Sequence, residues 1–131
     1  NLSAVQADKL AEWHVATTAA DFERILANAP KDRQIVIDVY ADWCVACQPI
    51  EHRVLKDAEV QQALSHYYLI KLDLSHYDAS HQALLNQWDI LGPPTYLFLD
   101  SQQQEIRALR LTGAFKKSEL LQQLTLLKGK L

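Results

Sequence analysis

The chain has 131 residues, 49% of them hydrophobic and 22% charged, with a formal net charge of −3. That length suits one domain with a sizeable core, and the composition argues against a disordered chain. Without a basic block the chain lacks the electrostatic footprint of a nucleic-acid binder, and no run approaches the roughly 18 apolar residues of a membrane span.

Residues 1–12 are polar and weakly patterned, and we read them as a tether ahead of a single domain over 13–131. "WHVA" at 13–16 has the size of a short strand. "TTAADFERILANA" reads as a helix with Thr18 as N-cap and Phe22, Ile25, Leu26 and Ala29 on one face. The β-branched run "QIVIDVYA", 34–41, predicts a strand covered on both faces. A helix follows from about Cys44 to Lys56, with a kink expected at Pro49. "DAEVQQALS" adds a short helix capped by Asp57. "YYLIKLDL", 67–74, is the next strand. "DASHQALLNQWD" is a helix expected to bury Ala79, Leu84, Leu85 and Trp88. "TYLFLD", 95–100, and "EIRALRLTG", 105–113, read as strands that pair as a hairpin. Residues 116–128 close the chain with a helix whose apolar stripe is Leu120, Leu121, Leu124 and Leu127. The order β-α-β-α-β-α-β-β-α predicts an α/β domain with helices on both faces of a central sheet. The chain has no methionine, so we expect a mature product or a piece of a longer protein.

Both cysteines of the chain, Cys44 and Cys47, lie in "DVYADWCVACQPIE". Such a pair can serve redox chemistry, contribute half of a metal site or be structural. A metal site needs more ligands. His76 and His81 have a zinc-like spacing, but 28 residues separate Cys47 from His76, far beyond the roughly 12 to 15 of a compact finger. We expect no metal and no cofactor beyond the cysteine pair itself. A CxxC directly after a buried-strand pattern, opening a helix, favours the redox reading. The first turn of a helix offers unpaired N–H groups and the positive end of the dipole, which stabilise a thiolate, the reactive form. Cys44 would attack and Cys47, one turn on and more buried, would resolve.

Asp38 stands mid-strand among Ile35, Val36, Ile37 and Val39, where an acid is costly to bury unless paired or protonated. Strand alternation sets it opposite Ile37 and Val39, under the helix that begins at Cys44. There its pKa should rise, and it could relay a proton for Cys47 or be a satisfied polar core residue. Glu51 lies one helical turn past Cys47. It would oppose a thiolate at Cys44 or be an exposed helix glutamate. Asp42 could cap the helix, Trp43 could shield the thiol, and Tyr40 could assist or belong to the core. The five histidines, 14, 52, 66, 76 and 81, read as surface residues, with His52 close to Glu51.

The strand "IVIDVYADWCVAC", Pro49, "GPPT" at 92–95 and "TG" at 112–113 resemble the thioredoxin superfamily, in its order, over about residues 13–128. "YADWCVAC", with Val45 and Ala46 between the cysteines, and Glu51 look like the C-terminal periplasmic domains of bacterial membrane thiol:disulfide interchange proteins. Gln48, where a lysine is common, and Pro93, where an aliphatic residue is usual, depart from the pattern. The resemblance implies a thioredoxin fold with a central mixed β-sheet, a cis-Pro94 packed against the cysteines and Asp38 beneath Cys47. Trp43, Val45, Ala46, Pro93 and Pro94 would form the surface that meets a substrate.

The resemblance also implies a monomeric periplasmic domain of a bacterial inner-membrane protein. Electrons would arrive from the membrane domain of the same parent and leave to its N-terminal periplasmic domain. They would ultimately serve disulfide isomerisation and cytochrome c maturation. With uncharged Val45 and Ala46 between the cysteines and acids nearby, the reduced form gains no special stabilisation, so the pair should be reducing. The alternatives are a stand-alone thioredoxin-like reductase and a non-catalytic interaction module that kept the fold.

Overall fold

The computed structural model describes residues 11–131. The tether reading of 1–12 falls almost wholly outside them. Among the described residues five strands form one mixed sheet: β1 (Trp13–Ala16), β2 (Ile35–Tyr40), β3 (Tyr68–Asp73), β4 (Thr95–Leu99) and β5 (Leu111–Thr112), in the order β1-β3-β2-β4-β5. β3 pairs in parallel with both β1 and β2. β4 runs antiparallel to β2, and β5 antiparallel to β4.

Both faces of the sheet are covered, which accounts for the unbroken apolar run of β2. On one face Ile35, Ile37 and Val39 pack with Phe22 and Ile25 of α1 (Ala19–Ala27) and Leu84 and Leu85 of α4 (Ala79–Trp88). Cys44 and Cys47 join that cluster. On the other face Val36, Tyr96 and Phe98 pack under α3 (Ala58–Leu64) and α5 (Lys117–Lys128), together with Ile50 and Val54. The helix starts follow side-chain chemistry. Thr18 accepts from the Asp21 N–H at 3.0 Å, and Asp57 accepts from the Val60 N–H at 3.1 Å. Asp78 caps α4 by accepting from the N–H groups of Ser80 and His81.

Three local expectations are corrected. The segment after β2 is not one kinked helix from Cys44. A short α turn, α2 (Cys47–Pro49), runs into a π-helix at Ile50–Val54, where the Leu55 N–H reaches the Ile50 carbonyl at 2.9 Å. Pro49 has no N–H for the Val45 carbonyl, so the regular ladder is broken at its start.

The strand expected over 105–113 is reduced to Leu111–Thr112, preceded by a 3₁₀ turn at Arg107–Leu109 and a single bridge from Glu105 to Leu99. The side chain of Arg110 turns the chain. It forms a bidentate pair with Glu105 at 2.6 and 2.7 Å and donates to the carbonyls of Asp89 at 2.6 Å and Trp88 at 2.9 Å.

In α4 the buried residue of the first turn is His81, not Ala79. Its Nδ1 accepts from the Asp78 N–H at 3.2 Å, and its Nε2 donates to the Thr17 carbonyl at 2.8 Å. It completes a capping box rather than facing solvent as expected.

Candidate active site

β2 hands the chain to a tight turn at the C-terminal edge of the sheet. The Cys44 N–H bonds the Ala41 carbonyl at 3.2 Å and the Cys47 N–H bonds the Cys44 carbonyl at 3.1 Å. Cys44 and Cys47 are joined as a disulfide with Cα atoms 5.3 Å apart, a separation ordinary for such a bond. Cys44 precedes α2 and Cys47 opens it. The contrast in exposure expected between them is small: 6% for Cys44 and 2% for Cys47.

Trp43 and Val45 beside them are exposed, at 54% and 84%. Ala46 is exposed too. The Trp43 indole N–H donates to the Ser75 carbonyl at 3.1 Å, and the Asp42 N–H donates to Ser75 Oγ at 2.9 Å. Asp42 therefore secures the turn through its backbone. The expected helix cap is absent, because Ala46 is the N-cap residue.

The Pro93–Pro94 peptide is cis, and Pro94 is buried. The register pairs Thr95 with Val39, so this loop lies at the same sheet edge from which β2 leads to the cysteines. Thr95 Oγ1 donates to the Gly92 carbonyl at 2.6 Å, and the Gly113 N–H bonds the Pro94 carbonyl at 2.9 Å. Leu91, at 94% exposure, adds an apolar tip to the loop.

Asp38 is buried on the face of β2 opposite Ile37 and Val39, under the helical segment that follows Cys47, in a row set by the sheet. Lys71 of β3 is its partner on one side and Tyr96 of β4 on the other. Lys71 Nζ lies 3.9 Å from Asp38 Oδ2 and makes a closer ion pair with Glu51 Oε1. The π-helix thus brings Glu51 over the sheet, so the two sequence-flagged acids meet around one lysine. The Lys71 ammonium also lies over the rings of Tyr40, 5.1 Å from its centroid, and Trp13, 5.6 Å from its centroid. Asp38 Oδ2, Glu51 Oε2 and the Tyr96 hydroxyl are buried and find no hydrogen-bond partner among the described residues.

Burial, and next the Glu51 charge, push the Asp38 carboxyl well above the ordinary range, while Lys71 pulls it down. Burial, with the Asp38 and Glu51 charges, likewise pushes the Tyr96 phenol well up. Lys71 and Tyr96 escaped the sequence reading, since neither residue type is unusual in a strand. His52 bonds Gln48 rather than Glu51. Among the described residues no group of three or more His, Cys, Asp or Glu could hold a metal ion, and none of the helices is long and apolar enough to cross a membrane.

A vicinal disulfide-forming pair at a strand-to-helix turn, beside an exposed apolar rim and a cis-proline loop, can exchange with a partner disulfide through a mixed disulfide. Fold and pair define a thioredoxin-like domain with a redox-capable cysteine pair. Residues 19–128 match the model of the thioredoxin-like domain, and the chain belongs to that family.

Among curated relatives, the thiol:disulfide interchange protein DsbD of Yersinia pestis is 40% identical over 102 residues, 78% of this chain and 17% of that protein. DsbD 1 of Pseudomonas aeruginosa is 34% identical over 114 residues, 86% of this chain and 19% of that protein. The chain therefore spans under a fifth of the length of these relatives. The crystal structure of the reduced Neisseria meningitidis DsbD C-terminal domain superposes with a TM-score of 0.69. It is 28% identical and covers 86% of this chain and 98% of that one. A Thermus thermophilus thioredoxin, 22% identical with a TM-score of 0.71 and covering 91% and 88% of the two chains, shares the fold.

Proposed function

We propose that this domain is a reductant that passes electrons by dithiol/disulfide exchange through Cys44 and Cys47, as one relay domain of a DsbD-like membrane protein. The observation that carries the reading is the Cys44–Cys47 disulfide at the strand-to-helix turn, next to exposed Trp43 and Val45. The named relatives, of which the chain matches only a short part, support the wider setting.

In the forward direction the Cys44 thiolate attacks a partner disulfide. One partner sulfur leaves as a thiolate and a mixed disulfide forms. Cys47 then gives up its proton and attacks the Cys44 sulfur. The second partner sulfur leaves as a thiolate, so the partner, once protonated, departs as a dithiol with two electrons gained, and this domain, two electrons poorer, holds the restored Cys44–Cys47 disulfide. Asp38, with its raised pKa, suits the proton traffic of Cys47: its carboxylate accepts in this direction, and its protonated form donates when the domain is re-reduced. Glu51 tunes Asp38 by charge. Trp43, Val45, Ala46 and Pro93 form the surface presented to the partner, and buried Pro94 supports it from behind.

Electrons would come from a membrane electron-transfer domain and go to a periplasmic partner domain, which puts this domain in the periplasm of a bacterial inner-membrane protein. A Cys47→Ala variant tests the reading. It should accumulate a mixed disulfide through Cys44, and the trapped partner identifies the route. Trapping of a separate soluble protein would favour a stand-alone reductase. Failure to trap any disulfide partner would favour a binding module.

A further inference from the structure

The first turn after Cys44 is thinly held by its own backbone. The Cys47 N–H reaches the Cys44 carbonyl at 3.1 Å and the Gln48 N–H reaches the Val45 carbonyl at 3.1 Å, and Pro49 then offers no N–H. The Gln48 side chain supplies what the ladder lacks. Its Nε2 donates to the Asp42 carbonyl at 3.1 Å and to the Cys44 carbonyl at 3.2 Å, bracketing Trp43 and the nucleophilic cysteine. Two carbonyls demand the amino end of the amide, so Oε1 must point away. It meets His52 Nε2 at 3.0 Å, one turn on. That nitrogen must then be the donor, since the amide oxygen can only accept.

We propose that Gln48 is a positioning residue for the thiol–disulfide exchange, a brace that keeps the Cys44 main chain in its disulfide-forming place, and that His52 locks the brace by fixing the orientation of its amide. The assignment rests on the functional reading given above. The brace bonds backbone carbonyls rather than sulfur, so it is available whether the cysteines are bonded or free. In the dithiol form it limits the freedom of Cys44 relative to Cys47 and raises the effective concentration of one thiol for the other. Loss of the brace loosens the dithiol more than the covalently closed disulfide, and so favours the reduced form.

The test is the equilibrium constant with the glutathione couple for the wild-type domain and three variants. Gln48→Met keeps length and neutrality but no hydrogen bond, and the constant for disulfide formation should fall about three- to tenfold, as expected for one or two modest hydrogen bonds. His52→Phe should shift it the same way by less. His52→Gln retains an N–H donor and should stay within about twofold of wild type. Thermal melts of oxidised and reduced Gln48→Met separate positioning from simple support. Equal loss of stability in both forms, with an unchanged equilibrium constant, would overturn the brace. Wild-type protein that fails to exchange with glutathione at all would instead overturn the functional reading, and the brace with it.

Discussion

Asp38 and Lys71 face each other across the parallel pairing of β2 and β3, with Nζ 3.9 Å from Oδ2, and Glu51 closes on the same ammonium from the π-helix above. Two buried acids thus share one cation. That arrangement favours retention of a proton on Asp38, and it sets the first three predictions.

Asp38→Asn should stabilise the fold at neutral pH. Below the unfolded carboxyl pKa of about 3.9, folded and unfolded chains are both protonated and the acid adds no pH dependence. As pH rises past that value the unfolded chain ionises while folded Asp38 keeps its proton, so stability falls until the raised folded pKa is passed and is flat beyond it. The variant lacks that fall. Thermal melts across pH should show it ahead of wild type by about 1 to 3 kcal/mol near pH 8, the scale of one unsatisfied buried polar group. The gap should close toward about pH 3.5. A gap independent of pH would assign the effect to packing instead.

Lys71→Met should do the reverse. It leaves Asp38 and Glu51 facing each other in a buried setting, and loss of about 3 kcal/mol at neutral pH is expected, the lower end for breaking such a pair. The loss should shrink in acid, where both carboxyls are protonated. Denaturant unfolding at neutral and acid pH checks this, and equal losses at both would argue against the charge account.

Glu51→Gln removes the neighbouring charge that raises Asp38, second only to burial. The Asp38 carboxyl, followed by carbon NMR, should titrate at lower pH in the variant. If the acids also restrain Cys44, its thiol should ionise at lower pH in Glu51→Gln and in Asp38→Asn, as read by thiolate absorbance in the reduced protein. An unmoved thiol in both variants would remove the acids from control of the nucleophile.

Arg110→Met should loosen the cis-proline loop. Arg110 holds Glu105 and the last carbonyls of α4, directly before Leu91 and the Pro93–Pro94 peptide. With the ion-paired side chains 7% and 14% exposed, loss of about 3 kcal/mol is expected. Hydrogen exchange should rise most at the N–H of Thr95 and Gly113. Faster exchange spread evenly over the sheet would mean general destabilisation only.

Periodicity and capping chemistry made most of the architecture legible. The apolar run of β2, the N-caps at Thr18 and Asp57, and the stripe of α5 are local patterns, and the cysteine pair lies at the strand-to-helix junction where the spacing put it. What stayed hidden depends on pairing across distance. In "YLIKLDL" Lys71 reads as an ordinary strand lysine. Only the β2–β3 register turns it toward Asp38. Tyr96 is likewise a good strand residue until the antiparallel register sets it beside the same acid. β5 was overestimated because the ion pair from Arg110 to Glu105, which folds the segment back, outweighs local strand propensity. His81 carried a usable signal, since it stands at the third helical position after the Asp78 cap, where a side chain reaches back to the cap.

The central claim is that Cys44 and Cys47 form a reducing pair, and the reduction potential tests it most directly. No charge lies between the cysteines, and the two acids beneath the turn share a single lysine, so the dithiol gains no special stabilisation. Equilibration with dithiothreitol and glutathione buffers should give a potential of roughly −230 to −270 mV, and a value above about −180 mV would contradict the account.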